Sequence, residues 1–259
     1  MITIKTPEDI ENLKISGKHL AEVLSYAAAH VKAGVSTDTL NDLAEQKIEE
    51  LGGRAAFLGY KPDWARMKYP ASLCVSVNDV VVHGIPNVNP IILQEGDTVG
   101  LDAGYVHEGM FTDSALTVIV GEGDGKTKAL VEATKEALKR AIAAARAGNT
   151  TGDIGHAVES FVKPLGYGLV RELAGHGVGY EVHEEPTIPN YGKPGKGEKL
   201  EVGMVIALEP MLNMGTGDVD FHDDDFTVTT ADGEKSAHFE HTLVITDGDP
   251  VVVTRREGE

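Results

Sequence analysis

Residues 32–52 read KAGVSTDTLNDLAEQKIEELG, and residues 146–166 read RAGNTTGDIGHAVESFVKPLG. A constant offset of 114 pairs Gly34 with Gly148, Ser36 with Thr150, Leu40 with Ile154, Glu45 with Glu159 and Leu51 with Leu165. Each copy reads as a glycine break followed by a Ser/Thr-capped helix with apolar residues at helical spacing. A second helical segment precedes each copy, near 7–32 and 126–147; the latter is rich in strong helix formers. Short Val/Ile-rich runs follow, at 72–82, 97–103, 113–120, 203–209 and 239–246, bounded by Gly or Asp. The chain therefore reads as helix, helix, strands, twice over. Two such halves, about 1–123 and 124–259, are expected to form a single α+β domain with one antiparallel sheet and the helices on one face. The functional site is expected where the halves meet.

The strand segments repeat as well. Residues 93–102 (LQEGDTVGLD) lie on 200–209 (LEVGMVIALE) at an offset of 107, which sets Asp102 on Glu209. Asp113 in DSAL is laid on Glu240 in EHTL. A carboxylate at the end of an apolar strand is costly in the interior unless it is paired or holds a metal. Four converging carboxylates raise one another's pKa values, and a pair of divalent cations neutralises them. Carboxylates also bridge metals in two-metal hydrolytic sites. His176 in GHGVG, His183 in the strand-like EVHEEP and His83 in VVHGIP add imidazoles. One imidazole among four carboxylates suits Mn, Fe(II), Co or Zn. His19, His30, His107, His156, His222 and His238 are read as ordinary helix or loop residues.

With 259 residues the chain can bury a large core, and 41% hydrophobic with 25% charged residues is ordinary for a soluble enzyme. No apolar run approaches membrane-spanning length, and the start MITIKTPEDI lacks a secretory pattern. The lone Cys74 excludes an internal disulfide and points to a reducing, cytoplasmic setting. A net charge of −18 argues against a nucleic-acid substrate. The acidic run Asp218, Asp220, Asp223, Asp224 and Asp225 reads first as a solvated loop, ahead of a salty habitat or part of a site.

At LGY (58–60), YPASLCVSVNDVVVHGIP (69–86), LDAG, FTDSA, GHGVGYEVHEEP (175–186), ALEPM (207–211) and FEHT (239–242), the sequence resembles the type I methionine aminopeptidases of the pita-bread metallopeptidase fold. The resemblance spans nearly the whole chain. It implies a curved antiparallel sheet with helices outside it and removal of the initiator methionine before a small second residue. It also implies two divalent ions held by Asp102, Asp113, His176, Glu209 and Glu240, with Asp113 and Glu240 bridging. His183 would bond the scissile carbonyl, His83 would meet the substrate amine or peptide nitrogen, and Glu209 would be the general base. Tyr60, Tyr69, Cys74 and Phe226 would shape the methionine pocket.

Two departures stand out. KPDWARMK at 61–68 looks inserted between LGY and YP, either as a surface loop or as a reshaped pocket rim. Phe226 and Val182 replace the family's frequent tryptophan and phenylalanine. The short connection between Glu209 and Glu240, and the absence of a cysteine-bearing N-terminal extension, favour type I. The expected partner is the N-terminal methionine of nascent polypeptides, met by a monomer with no membrane attachment; transient ribosome contact gains no support from a basic patch. The rivals are a proline-directed peptidase of the same fold and a catalytically dead interaction module. Retention of all five acids and imidazoles weighs against the second.

Overall fold

The computed structural model describes residues 2–259. Four α-helices form where the periodicity places them: α1 (Pro7–Ala29), α2 (Thr37–Glu50), α3 (Gly125–Ala144) and α4 (Thr151–Val162). Thr6 with Asp9 and Thr150 with Asp153 make reciprocal capping boxes at α1 and α4. Asp124 caps α3. Ser36 occupies the cap position of α2, but its hydroxyl makes no capping bond, so only one of the two matched Ser/Thr caps is built. No helix among the described residues is long and apolar enough to cross a membrane.

The main sheet has nine antiparallel strands drawn from both halves. Thr98–His107 pairs with Met110–Ile119, which pairs with Glu240–Val244, and that strand pairs with Val205–Leu208. Two short bridges tie each helix pair to its strands in the same way: Ser36 to Ile92, and Thr150 to Lys199. Their members are separated by 114 and 107 residues, the two offsets of the sequence repeat. Gly34 N–H to Leu93 carbonyl and Gly148 N–H to Leu200 carbonyl repeat the match, each at 2.9 Å.

Residues opposite one another in a ladder share a sheet face. On one face Leu73, Val75, Leu101 and Ala103 pack under α1 and α2. Ile206, Leu208 and Leu243 pack under α3 and α4 on the same side. Each half thus buries its own helix pair on its own strands, in two adjoining cores.

The ladder corrects one part of the repeat. Leu101 faces Leu116, and the equivalent Leu208 faces His241, so the second strand of each half matches at 241 − 116 = 125. Asp113 laid on Glu240 implies 127. Glu240 instead corresponds to Ala115, its own partner across the centre of the sheet. By the same count the counterpart of Asp113 is His238. A two-residue slip leaves every side chain on its original face.

Segment 72–82 also divides. Leu73–Val77 stays in the main sheet, whereas Val80–Val82 leaves it after Asn78 (φ +55°) to pair with Val228–Thr230 in a small three-stranded sheet. That departure carries His83 away from the sheet plane.

Candidate metal centre and substrate cavity

The face of the sheet opposite the helices is the acidic one. Cys74 faces Asp102, Asp102 faces Ala115, and Ala115 faces Glu240. Asp113 precedes Ala115 by two residues and so shares its face, and His176 faces Ala207, itself opposite Thr242. All five proposed ligands therefore rise from one face or the end of one of its strands. Ligand atoms of Asp113, His176 and Glu240 lie within 4.8 Å of one another, and all three residues are buried. Asp102 and Glu209 stand just outside this trio: Asp102 lies opposite Ala115 on the neighbouring strand, and a Glu209 oxygen is 3.6 Å from His176 Nε2.

Local sequence explains how His176 reaches this point. A Cβ at Gly175 would sit 2.4 Å from the Ala207 carbonyl, and one at Gly177 would sit 2.2 Å from that of Glu185. Only glycine on both sides lets this strand lie flush between its neighbours. His83 holds φ +59°, a left-handed conformation uncommon outside glycine, and the next residue, Gly84, abuts the Val75 carbonyl. His183 lies between the strands Ala174–Gly177 and Glu184–Pro189, not within a strand as its sequence suggests. Its Nδ1 is 2.8 Å from the Tyr60 hydroxyl.

The electrostatics of the cluster call for cations. Burial raises Asp102 to about 7. Burial, and then the neighbouring carboxylates, push Asp113 and Glu240 far above the ordinary range, and burial with Asp102 does the same to Glu209. Asp102 Oδ1, Asp113 Oδ1 and Glu240 Oε1 are buried without a hydrogen-bond partner. Orphaned buried oxygens at a point of converging negative charge fit a bound divalent metal. The imidazoles are kept neutral by burial, His176 at about 4 and His183 at about 2, and neutral imidazole is the form that ligates metal.

All eleven residues nominated from the sequence line one cavity of about 290 Å³. Its lining joins the carboxylates and His176 to one apolar cluster that includes Tyr69, Cys74, Phe57 and Phe226. Tyr69 donates from its hydroxyl to the Gly84 carbonyl at 2.9 Å. A wider cleft of about 660 Å³ adjoins it through His83, His176, His183 and Glu209, and carries Glu181, Glu184 and Glu185.

Sequence reasoning missed three wall residues, Phe57, Pro62 and Trp64. It also set aside His238, which is buried in the strand Ser236–His238 with Nε2 unpartnered and 3.9 Å from Glu209. Its equivalence to Asp113 emerges only from the ladder register. The acidic run is only partly the solvated loop expected. Asp218, Asp220 and Asp223 are exposed. Asp224 accepts from the Phe226 and Thr227 amides, and Asp225 accepts from Arg66.

Comparison with known proteins places this geometry. The model of metallopeptidase family M24 matches residues 11–247. A methionine aminopeptidase of Aquifex aeolicus is 44% identical over 255 residues, 98% of each chain. The crystal structure of a methionine aminopeptidase from Thermotoga maritima superposes with a TM-score of 0.94 at 40% identity, covering 99% of this chain and 100% of that one. A prolidase from Pyrococcus furiosus shares the fold at a TM-score of 0.77 and 24% identity, with 98% of this chain matching 66% of the prolidase.

Proposed function

The chain belongs to metallopeptidase family M24, and on that premise we propose that it is a type I methionine aminopeptidase with the pita-bread fold. Its substrate is the N-terminal methionine of nascent proteins and peptides with a small second residue, and it acts as a monomeric, single-domain cytoplasmic enzyme. One observation carries the reading: the apolar wall of Tyr69, Cys74 and Phe226 shares a small cavity with the Asp113, His176 and Glu240 trio. An unbranched thioether suits an apolar pocket with a sulfur contact. Relatives named methionine aminopeptidase over essentially the full length support it.

Four carboxylates and one imidazole fit divalent cations, which Asp102, Asp113, His176, Glu209 and Glu240 would hold. Mn, Fe(II), Co and Zn all suit these donors. Such ions, when bound, supply Lewis-acid polarisation of the scissile carbonyl and acidify water.

The remaining steps belong to the protein. Glu181 and Glu185, lining the adjoining cleft, favour approach of a protonated α-amine. With the Tyr60 hydroxyl as the donor in its hydrogen bond to His183 Nδ1, the proton of the neutral ring sits on Nε2. His183 Nε2 can then donate to the carbonyl oxygen as negative charge develops there. His83, which lines both cavities, offers a ring nitrogen to the substrate amine or peptide nitrogen. Glu209, which lines both cavities, would take the proton from the attacking water in its ionised form and return it to the leaving amine.

The test is an assay of chelator-stripped protein, with and without Mn(II), Co(II) or Fe(II), on Met-Ala-Ser and Ala-Pro-Ser. Metal-dependent release of methionine from the first peptide alone is expected. Alanine release from the second would move the assignment to the proline-directed branch. No divalent metal binding at all would leave an interaction module.

A further inference from the structure

We propose that Trp64, carried by the 61–68 segment, is a specificity-determining residue: its indole forms the outer wall of the pocket for the substrate's first side chain. The inference rests on the function proposed above and assigns that site a residue which neither the repeat nor the ligand set calls for.

The segment is held in place. Gly59 N–H donates to the Tyr69 carbonyl and Tyr69 N–H to the Tyr60 carbonyl, at 2.9 and 2.8 Å, which pinches its two ends together. Beyond Trp64, the Arg66 and Met67 amides donate to Asp225 Oδ2, and Arg66 Nε donates to Oδ1 at 2.8 Å. The Arg66 guanidinium also reaches the Asp223 carbonyl. Ala65 is buried beneath. A loop tied at its neck and at its tip presents Trp64 in a defined place.

Trp64 lines the cavity, yet it remains 66% exposed. An aromatic file runs inward from it. The Trp64 and Phe226 rings are 5.9 Å apart, Phe226 and Tyr69 5.1 Å, and Tyr69 and Phe57 6.5 Å, with Cys74 alongside. Such separations are ordinary aromatic contacts. The inner end of the file, at Tyr69 and Cys74, adjoins the carboxylates, since Cys74 faces Asp102 across the ladder, so a peptide with its amine near the trio can lay its first side chain against these rings. The outermost ring has one face on Phe226 and the rest open, and a bound apolar side chain is what covers an indole left in water.

Trp64 is the only tryptophan in the chain, so intrinsic indole emission reports on this wall alone. The experiment titrates the metal-loaded enzyme with methionine and, separately, with alanine. A saturable change in emission with methionine and none with alanine is expected. In parallel, Trp64→Ala should raise KM for Met-Ala-Ser about three- to tenfold, the range of one aromatic contact, with kcat within about twofold. Trp64→Phe should restore most of the loss. Unchanged emission at methionine concentrations that inhibit turnover, or an unchanged KM in Trp64→Ala, overturns the proposal while leaving the aminopeptidase reading intact. A wild-type enzyme that releases no methionine from Met-Ala-Ser overturns both. The emission titration uses the unmutated protein, so it stands even if a variant folds poorly.

Discussion

Replacing Glu259 by alanine should destabilise the protein through a buried ion pair that lies directly behind the acidic cluster. Ser114 and His241 face each other on the helix side of the central strands. Ser114 Oγ donates to the Glu240 carbonyl at 2.8 Å and accepts from Arg256 Nη1 at 3.0 Å. Arg256 in turn holds Glu259 at 2.9 Å, with side chains only 5% and 17% exposed. His241 Nε2 lies 3.2 Å from the same carboxylate.

Burial alone would raise the Glu259 carboxyl, but the His241 hydrogen bond and the Arg256 charge outweigh it and hold it at about 2, against an ordinary 4.5. That difference converts to on the order of 3 kcal/mol. The backbone of Glu259 is open to water, and screening reduces the figure to on the order of 2 kcal/mol. Because the folded pKa lies below the unfolded one, this contribution is complete above about pH 4.5 and fades as pH falls toward 2. Urea unfolding followed by circular dichroism should give Glu259→Ala a deficit of about 2 kcal/mol at pH 7. The deficit should be smaller at pH 4, by up to about 1 kcal/mol. Wild-type stability in the variant at pH 7, or a deficit that grows on acidification, would refute the reasoning.

Lys5 and Glu184 form a second buried pair at 2.6 Å, with side chains 1% and 6% exposed; Lys5→Met should cost about 3–5 kcal/mol in urea unfolding, and Lys5→Met with Glu184→Gln distinctly less. The Cys74 thiol is buried at the wall of the substrate cavity, and burial raises its pKa well above the usual value, so a thiol-reactive disulfide reagent should modify it far more slowly than a free cysteine thiol at the same pH. A divalent ion at 100 times its dissociation constant should stabilise the stripped protein by about 2.7 kcal/mol. A thermal scan should show the corresponding upward shift, and Glu240→Gln should abolish most of it.

The helix pairs and the Glu209 position were legible in the sequence because each depends on local pattern: caps, a 3.6-residue period, and a carboxylate closing an apolar strand; Asp102 was reached by the same rule although its strand runs on to His107. Trp64 was not, because its place on the wall depends on Arg66 meeting Asp225, 159 residues away. His238 was hidden for a different reason. Its strand is three residues long, too short to show alternation, and the alignment of Asp113 with Glu240 filled the position that His238 occupies.

That misalignment did no harm to the ligand set, and the reason is physical. A strand's side chains alternate with a period of two, so an error of two residues exchanges one inward-facing position for another. Asp113 and Glu240 reach the same cavity whether or not they are equivalents. An error of one residue would have sent Glu240 toward the helices and left His241 facing the cluster. Parity along the strand therefore carries the chemistry of this site, whereas the symmetry between its halves governs only which residue answers to which. The same argument accounts for the mixed character of the cluster: the equivalent of one buried carboxylate is an alanine, Ala115, and that of another is a histidine, His238. The two halves share a backbone plan, and the acidic face is completed by residues that the repeat does not duplicate.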